Sequence, residues 1–253
     1  MGVERKNLLY KSGVEYADYT INHVLGCSHG CRYPCYAYLM NKRFGKIKSY
    51  NEWIQPRVVT NTLELLNKEL PKIHDKIDHV NLCFSTDPFM FEQPQISKLS
   101  LEIIEILNDW NIPVETLTKG VYPKELIGIS SHNNNRFGIT LVSYFEDFRK
   151  AFEPGAAPIE ERIKSLKVLH YAGFKTWVSI EPYPTPNIIE QDIDKLLEKI
   201  SFVDKIVFGR WNYNTLSKSF ENHKEFYLKI SEKVQEFCEK NNIELIVKSE
   251  VYK

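Results

Sequence analysis

Three cysteines lie close together near the start of the chain, at Cys27, Cys31 and Cys35. They are three of the five cysteines in the chain, and they fall in the stretch Gly-Cys-Ser-His-Gly-Cys-Arg-Tyr-Pro-Cys-Tyr from Gly26 to Tyr36. Three thiolates on one loop can bind three irons of a [4Fe-4S] cluster, and the fourth iron is then open to a ligand that is not protein. The spacing therefore predicts a cluster that acts as a reagent as well as an electron carrier.

Zinc is the main alternative for this loop, with His29 as the fourth ligand. Structural zinc sites usually take their ligands as two pairs separated by an intervening stretch, whereas these cysteines crowd into one short segment. A disulfide framework is disfavoured because the cysteine count is odd and no secretory signal precedes the loop. The alternative to a cluster is therefore a zinc-stabilised barrel that binds a partner without redox chemistry.

The bulk composition limits the classes of protein to consider. A chain of 253 residues with 43% hydrophobic and 26% charged residues suits one domain of α/β-barrel size. The charges of the 33 basic and 33 acidic residues cancel, so no net positive charge draws the protein to nucleic acid. This balance does not exclude a local basic patch. No run approaches 18 apolar residues. We therefore expect a cytoplasmic, reducing location and no membrane association.

The cysteine loop must be held by the elements around it, and these alternate regularly between strand and helix. Short apolar strands are predicted at Tyr19 to Leu25, Val80 to Phe84, Val114 to Thr118, Phe137 to Val142, Thr176 to Ile180, Lys205 to Phe208 and Glu244 to Val247. The first of them leads into the cysteine loop. Amphipathic helical segments separate the strands, the first from about Arg57 to Glu69.

This alternation, repeated six times before a closing strand, predicts a parallel sheet with right-handed crossovers. The expected fold is α/β, a partial (β/α)6-type TIM barrel that ends in a helix and a strand. We assign residues 1–18 to a short N-terminal extension and residues 19–253 to a single barrel domain. A doubly wound open sheet is the alternative fold, but no Gly-x-Gly-x-x-Gly follows the first strand.

Polar residues follow the ends of the predicted strands. In barrels the chemistry lies at the C-terminal strand ends, which here carry the cysteine loop and then Ser85, Thr86, Asp87, Lys119, Ser143, Glu181 and Arg210. Each of these is a common loop residue when taken singly. As a set that converges on a cysteine loop, they indicate the mouth of an active site.

Four stretches carry a resemblance to a known family: the cysteine loop, Ser-Thr-Asp-Pro-Phe, Leu-Thr-Lys, and Glu-Pro-Gly-Ala-Ala-Pro-Ile-Glu-Glu-Arg. With their order and placement, the chain from about Asn22 to Asn212 resembles the radical S-adenosylmethionine (SAM) superfamily, and within it the branch that contains spore photoproduct lyase. The cysteine motif departs from the usual spacing, because both gaps hold three residues and Pro34 is the extra one.

The resemblance implies cofactors, an activity and a partner. It implies an enzyme, of undetermined reaction class, that binds a [4Fe-4S] cluster through its three cysteines. The enzyme would cleave SAM reductively to a 5′-deoxyadenosyl radical that abstracts hydrogen from an unknown substrate. An external electron donor of the flavodoxin or ferredoxin type follows. Repair of DNA lesions is an alternative within the family, weakened by the zero net charge and the short chain.

The resemblance also implies roles for individual residues. Ser85 and Thr86 match the region that binds the SAM amino group, and Lys119 matches a lysine that pairs with the SAM carboxylate or ribose. Ser143 and Glu181 are the expected ribose contacts. The residue flanking the third cysteine normally touches adenine, and either Tyr33 or Tyr36 could supply that contact here.

Cys83 falls two residues before Ser85, as does the hydrogen-donating cysteine of spore photoproduct lyase. The resemblance therefore implies that Cys83 returns a hydrogen atom to a product radical. The alternative is that Cys83 is a small buried apolar residue of its strand. Cys238 is expected to be structural, and His23, like the other histidines outside the loop, is assigned no role.

Overall fold

A computed structural model describes residues 2–13 and 17–252. Strands in these ranges are β1 (Leu9–Lys11), β2 (Tyr19–Ile21), β3 (Val24–Leu25), β4 (Arg57–Val58), β5 (Val80–Leu82), β6 (Val114–Thr118), β7 (Arg136–Thr140), β8 (Lys175–Tyr183), β9 (Lys205–Arg210) and β10 (Glu244–Val247). Helices are α1 (Tyr36–Arg43), α2 (Tyr50–Trp53), α3 (Thr62–Ile73), α4 (Pro94–Asp109), α5 (Leu126–Ile129), α6 (Glu146–Phe152), α7 (Ile159–Tyr171), α8 (Ile193–Lys199), α9 (Thr215–Lys218) and α10 (His223–Asn241).

One mostly parallel sheet organises the chain. Its strand order is β1-β2-β5-β6-β7-β8-β9-β10, so neighbouring strands follow one another along the chain. Every pair from β2 to β10 is parallel, and only β1 runs antiparallel, against β2. Within the described ranges β1 and β10 form the two edges, so the sheet does not close into a full barrel. This architecture confirms the predicted partial barrel.

Burial of both faces of the sheet explains why its strands are almost continuously apolar. The three residues of β5 are all buried, and so are five of the six residues of β9. Parallel strands need this composition because helices cover one face and the barrel interior covers the other. Helix α7 illustrates the cover: Ile163, Leu166 and Leu169 are buried in the main hydrophobic cluster. Gly173, with φ of 92°, follows its C-cap, as helix ends prefer.

The segment before the cysteine loop differs from the prediction. The strand expected from Tyr19 to Leu25 is interrupted, because only Tyr19–Ile21 joins the main sheet. Val24–Leu25 instead pairs antiparallel with Arg57–Val58, in a separate two-stranded ribbon. The helix expected to start at Arg57 therefore begins at Thr62. Pairing between segments distant in sequence overrode the local pattern, and β3 of the ribbon leads directly into the cysteine loop.

The predicted N-terminal extension contributes a strand to the sheet. Residues 9–11 pair with β2, and the side chain of Glu69 accepts hydrogen bonds from the backbone N–H groups of Leu8 and Leu9. Met1 and residues 14–16 of that extension lie outside the described residues. The segment thus covers the edge of β2, which would otherwise expose unpaired backbone groups.

The barrel interior has a floor at the end opposite the cysteine loop. The indole of Trp177 lies over Gly138, where an added Cβ would come within 2.4 Å of the ring. Below the indole, the Lys205 ammonium lies 4.8 Å from its ring centroid and 3.0 Å from a carboxylate oxygen of Glu115. The Trp177 ring and the buried ion pair of Lys205 and Glu115 therefore close this end of the barrel interior.

None of the described helices combines the length and the apolar composition needed to cross a bilayer.

Candidate metal and cofactor site

One cavity of about 620 Å³ lies at the C-terminal edge of the sheet, and the three loop cysteines line it. The opposite walls come from the ends of successive strands. They include Cys83, Thr86, Asp87, Lys119, Thr140, Ser179, Glu181, Arg210, Trp211 and Lys248. The parallel order of the strands brings these side chains together, although they are spread over more than half of the chain. The cavity is therefore the mouth that the strand ends predicted.

Backbone contacts set the path of the cysteine loop. Gly26 begins the loop with φ of 90°, and a Cβ there would lie 2.6 Å from the carbonyl oxygen of Trp53. Only glycine accepts both this conformation and this close approach. The N–H of Cys27 donates to the same Trp53 carbonyl at 2.8 Å, and Cys35 immediately precedes α1. The loop is thus fixed at both ends by ordered elements.

The segment between α6 and α7 supports the loop from the other side. The N–H of Gly155 donates to the carbonyl of His29 at 3.0 Å, and the N–H of Arg32 donates to that of Phe152 at 2.8 Å. A Cβ on Gly155 would lie 2.2 Å from the carbonyl oxygen of Ser28, which is backbone and cannot move alone. Close packing of two backbones therefore holds the loop in place.

We expect Gly155→Ala to push the cysteine loop away from this segment. Overpacking of this kind typically costs about 1–3 kcal/mol of unfolding free energy. Urea denaturation would measure the loss, and iron bound per chain after anaerobic reconstitution should fall with it. Gly128→Ala is the matched control, because nothing lies within 4 Å of a Cβ there and Gly128 is exposed within α5. Equal behaviour of the two variants would contradict this account of the loop.

A buried charge network lies behind the loop. The carboxylate of Glu153 accepts a hydrogen bond from the Tyr33 hydroxyl at 2.8 Å and pairs with the Arg162 guanidinium at 2.9 Å. The ammonium of Lys119 lies 3.7 Å from the same carboxylate and 5.5 Å from the centroid of the Tyr33 ring. Glu153 is 3% exposed and Arg162 is 1% exposed, so this pair is removed from water.

The network fixes the charge states of its members. Burial raises the pKa of Glu153, but the Arg162 and Lys119 charges outweigh burial and hold that pKa below its usual value. Burial lowers the pKa of Lys119, but the neighbouring Cys31 and Glu153 charges outweigh burial and raise it. Both groups are therefore ionised at neutral pH. Lys119 keeps its positive charge on the wall of the cavity, where it can meet an anion.

The loop thiols are buried acids that a metal must deprotonate. Burial raises the pKa of Cys31 to about 12 and raises that of Cys27 well above its usual value. Cys31 is 8% exposed, and Cys27 and Cys35 are partly buried. Binding of a metal to such thiols releases protons, so affinity increases with pH. The burial also shields the site from water, as a reducible cluster requires.

His29 braces the loop instead of extending the set of metal ligands. Its Nε2 accepts a hydrogen bond from the N–H of Phe91 at 3.3 Å, and its Nδ1 lies 3.5 Å from the carboxylate of Asp87. Asp87 in turn accepts from the Thr118 hydroxyl at 2.7 Å and the Lys119 N–H at 2.8 Å. Burial lowers the pKa of His29 to about 4, against the opposing effect of Asp87. Because the N–H of Phe91 occupies the Nε2 lone pair and Nδ1 faces Asp87, this arrangement leaves no nitrogen of His29 free for zinc.

The donor set fits a cluster better than a single ion. Zinc–thiolate bonds are about 2.3 Å long, so ligands of one zinc crowd together. Across the described ranges, no group of three or more His, Cys, Asp or Glu side chains could hold one metal ion. A [4Fe-4S] cluster instead spreads its thiolates around a larger body. Three thiols around a cavity of about 620 Å³, with the Lys119 ammonium on its wall, suit the larger group.

The structure separates the predicted SAM contacts into two sets. Thr86, Lys119 and Glu181 line the cavity, as do Tyr33 and Tyr36. Ser85 and Ser143, both described, are not part of the cavity wall. The hydroxyl and N–H of Ser85 both donate to Asn22 Oδ1, at 2.9 and 3.0 Å, and the Ser143 hydroxyl accepts from the N–H of Phe145. Their side chains stabilise turns, which sequence position could not distinguish from ligand contact.

The longer second gap is accommodated within the loop. Tyr33 points inward, with 7% exposure and an edge-on contact to Trp211 at 5.3 Å between ring centroids. Arg32 is exposed, and Pro34 lines the cavity. Tyr36 is 47% exposed at the mouth and contacts Phe84 edge-on. Of the two tyrosines, Tyr36 therefore has the free ring face that a planar group could cover.

Three residues of the site were not identified from sequence as parts of it: Glu153, Arg162 and His23. Glu153 and Arg162 are the first and last residues of the stretch Glu-Pro-Gly-Ala-Ala-Pro-Ile-Glu-Glu-Arg. That stretch supported the family resemblance, but neither residue was assigned a role. Asp87 was among the predicted strand-end residues, although no role was assigned to it. His23 gave no sequence signal, because its partners lie 60 and 77 residues away.

Known proteins are similar to this chain over most of its length. The family model described as "Radical SAM superfamily" matches residues 21–200. An uncharacterised protein of Acidianus two-tailed virus is 24% identical over 200 residues, which cover 74% of this chain and 64% of the viral protein. An uncharacterised protein of Mycobacterium tuberculosis (strain ATCC 25618 / H37Rv) is 24% identical over 189 residues, covering 72% and 55%. The chain therefore spans under two thirds of each relative.

Solved structures share the fold. A spore photoproduct lyase mutant with bound SAM and a dinucleoside spore photoproduct superposes with a TM-score of 0.66 at 15% identity. That superposition covers 97% of this chain and 80% of the lyase. SuiB of Streptococcus suis bound to SAM gives a TM-score of 0.51 at 15% identity, covering 72% of this chain and 42% of SuiB. At these identities the likeness concerns the fold.

Proposed function

The chain belongs to the radical SAM superfamily, and from that membership we propose that it is an enzyme that binds a [4Fe-4S] cluster and cleaves SAM reductively. Cys27, Cys31 and Cys35 would hold the cluster. When bound, the two cofactors supply an electron and a 5′-deoxyadenosyl radical that takes a hydrogen atom from the substrate. The protein supplies ligation, orientation and a site from which water is excluded.

This proposal rests mainly on one observation. Three thiols of a single loop line one cavity, and the C-terminal strand ends of a partial barrel form its other walls. Such strand ends hold the chemistry of barrel enzymes. The same cavity offers an ammonium group, hydroxyl groups and an exposed aromatic ring around the thiols. A zinc-stabilised barrel would not need this set of groups.

We propose the following roles for the cavity residues. Lys119 pairs with the SAM carboxylate, because its protonated ammonium lies on the cavity wall beside Tyr33 of the cysteine loop. Tyr36 takes the adenine through its exposed ring, and Tyr33 supports the loop. Thr86 and Glu181 serve as the polar contacts for the amino and ribose groups. Ser85 and Ser143 shape the turns that hold these residues.

Cys83 is proposed to return a hydrogen atom to the product radical. Its side chain is buried among apolar residues yet lines the cavity. Burial raises the pKa of the thiol to about 12, so the group stays protonated, and only a protonated thiol can donate a hydrogen atom. In that step the S–H bond breaks, the hydrogen joins the substrate carbon, and the unpaired electron moves to sulfur.

The electron donor and the cellular location are proposed from the chemistry of the cluster alone. A flavodoxin- or ferredoxin-type protein would reduce the cluster, because such chemistry needs one electron at low potential. A reducing, cytoplasmic location would suit an oxygen-sensitive cluster. Neither depends on a particular residue of the chain.

A nucleic-acid substrate is the second candidate. Helix α1 starts at the cavity wall, and Lys42, Arg43, Lys46 and Lys48 are exposed along it and the following loop. Phe44, between them, is 63% exposed. Basic residues interleaved with an aromatic can contact phosphates and stack on bases. Affinity for a single-stranded oligonucleotide that falls steeply with salt would support this substrate class, and no measurable binding at low salt would remove it.

The experiment for the main proposal is reconstitution with iron and sulfide under anaerobic conditions, then reduction by dithionite in the presence of SAM. We expect 5′-deoxyadenosine to accumulate, as measured by liquid chromatography with mass detection. Omission of dithionite is the control, since cleavage requires an electron. A bound cluster that yields no 5′-deoxyadenosine under reduction would argue against the proposed activity.

A further inference from the structure

The part of the chain that holds the loop cysteines has an uneven charge. Between Tyr19 and Asn51 the sequence has five lysine and arginine residues and no aspartate or glutamate, although basic and acidic residues balance over the whole chain. All five are exposed: Arg32, Lys42, Arg43, Lys46 and Lys48. The ion pairs among the described residues involve none of them. These positive charges therefore face any partner that approaches the cysteine loop from solvent.

Helix α1 combines part of this charge with exposed apolar side chains. Leu39, Lys42 and Arg43 stand at positions i, i+3 and i+4 of the helix, so they share one face. Leu39 is 41% exposed, and Phe44, the C-cap residue, is 63% exposed. The N–H of Lys46 donates to a carbonyl within the helix at 2.9 Å, so the turn after the helix folds back towards it. We call these five residues the α1 surface.

The α1 surface lies close to the proposed cluster. Cys35 is the N-cap residue of α1, and the rise of a helix places Leu39 about 6 Å and Arg43 about 12 Å further along its axis. Electron transfer between proteins weakens steeply with distance, so a donor must dock beside the loop that holds the cluster. No residue of the α1 surface lines the cavity. A partner docked on this surface therefore leaves the space proposed for SAM open.

We propose that the α1 surface docks an acidic electron-transfer protein that reduces the cluster. This inference rests on the proposed function, because it assigns a docking surface to the electron donor which that function requires. In the transfer, one electron leaves the reduced centre of the donor and enters the cluster, and no bond is made or broken. The cations of the surface steer the acidic donor towards the cysteine loop, and Leu39 and Phe44 supply the apolar contact.

Exposed apolar area among the cations favours a protein partner on this surface. Transient electron-transfer complexes bury little area and use complementary charges to guide the encounter. Protein interfaces place apolar side chains inside a polar rim, and Leu39 and Phe44 with flanking cations have this composition. Sites for single-stranded nucleic acid instead use aromatic side chains as stacking platforms, and Leu39 has no ring. Nucleic acid, which the same cations can contact, is therefore a competing outcome of the test.

Titration of an isotope-labelled, oxidised bacterial flavodoxin of net negative charge with the reconstituted protein tests this surface by nuclear magnetic resonance. We expect the flavodoxin resonances to shift at low ionic strength, with an affinity that falls as salt is added. Arg43→Glu/Lys46→Glu should raise the dissociation constant at least about tenfold, because like charges then face the acidic partner. Leu39→Ser should weaken binding without changing its salt dependence, because it removes apolar contact and no charge.

Lys224→Glu/Lys229→Glu is the matched control, because both lysines are exposed on α10 and the change in net charge is the same. Helix α10 packs against β9 and β10, at the other end of the strand order from β2. Its dissociation constant should stay near that of the parent protein. Equal weakening in the two double variants would overturn the proposal, since net charge alone would then explain the loss. A parent protein that shifts no flavodoxin resonance at low salt would overturn it as well.

Cluster reduction gives a second readout. After stopped-flow mixing with reduced flavodoxin, the cluster absorbance should bleach at least about tenfold more slowly in Arg43→Glu/Lys46→Glu than in the parent protein. Each rate is divided by the rate of the same variant with dithionite, a small reductant that needs no docking surface. An unchanged ratio would overturn the proposal.

The two proposals fail in different ways. Failure of the proposed function would appear as absent 5′-deoxyadenosine with dithionite, whatever flavodoxin binds. Failure of the docking surface would appear as flavodoxin affinity that is unchanged in Arg43→Glu/Lys46→Glu, in a parent protein that forms 5′-deoxyadenosine. If that variant loses affinity for a single-stranded oligonucleotide and keeps its affinity for flavodoxin, the surface binds nucleic acid and the proposal is wrong.

Discussion

Replacing Cys31 by alanine is expected to abolish both cluster binding and formation of 5′-deoxyadenosine. Cys31 is the proposed middle ligand of the loop and is 8% exposed. The cysteines outside the loop are Cys83, just past β5, and Cys238, in α10. With two thiolates left, the cluster loses a protein ligand and should not survive gel filtration after reconstitution. Iron and sulfide per chain would measure the first loss, and liquid chromatography of the SAM reaction the second.

Cys238→Ala is the control for this variant. Cys238 is buried within α10, where burial raises the pKa of its thiol to about 11. It does not line the cavity, so iron content and 5′-deoxyadenosine should stay at the level of the parent protein. Iron content that remains full in Cys31→Ala would show that the loop is not the cluster site.

Replacing Glu153 by alanine is expected to destabilise the protein by about 3–5 kcal/mol, because it leaves the buried charge of Arg162 without its ion-pair partner. The Arg162 guanidinium is 1% exposed and keeps only hydrogen bonds to the carbonyls of Thr140 and Ala157 when its carboxylate is removed. Tyr33 also loses its acceptor, which loosens the second gap of the cysteine loop. Equilibrium urea unfolding would measure the loss of free energy.

Glu160→Ala is the matched control, since Glu160 makes the same kind of pair with Lys199 at the surface. Exposed pairs contribute about 0–1 kcal/mol, so this change should be small. The double variant Glu153→Ala/Arg162→Met should be less destabilised than Glu153→Ala, because it also removes the buried guanidinium that the single variant leaves without its carboxylate. A double variant that is less stable than Glu153→Ala would show that the unpaired charge of Arg162 is not the cause of the destabilisation.

The effect of Glu153 should also depend on pH. Its pKa is held below the value in the unfolded chain, so its contribution is fully present above the unfolded pKa of about 4.3. That contribution is lost as the pH falls through the lower pKa of the folded state. The difference in stability between the parent protein and Glu153→Ala should therefore be constant near neutral pH and shrink in acid.

Much of this architecture was predictable because it depends on local patterns. The apolar runs from Val80, Val114 and Lys205 each became a parallel strand, since burial on both faces leaves a strong compositional signal. The cysteine loop stood out by residue type alone. Gly173, just past α7, is a residue type that commonly ends helices.

Other features depend on contacts between distant segments and gave no local signal. The ribbon between β3 and β4 divided an apolar run that looked like one strand. Tyr33 and Glu153 are 120 residues apart, and their hydrogen bond exists only because the barrel brings α6 to the cysteine loop. Ser85 has the right position to line the cavity, but the left-handed turn at Cys83 directs its side chain to Asn22. Strand position predicts nearness to a site and does not fix side-chain direction.

The most direct test of the central claim is electron paramagnetic resonance of the dithionite-reduced, reconstituted protein with and without SAM. We expect the signal of a reduced [4Fe-4S] cluster whose spectrum changes when SAM is added, because three cysteines leave one iron open to it. Isotopic labelling of the SAM carboxylate should then broaden the signal through direct contact with iron. Zinc without a brown chromophore, or a cluster spectrum that SAM leaves unaltered, would contradict the account.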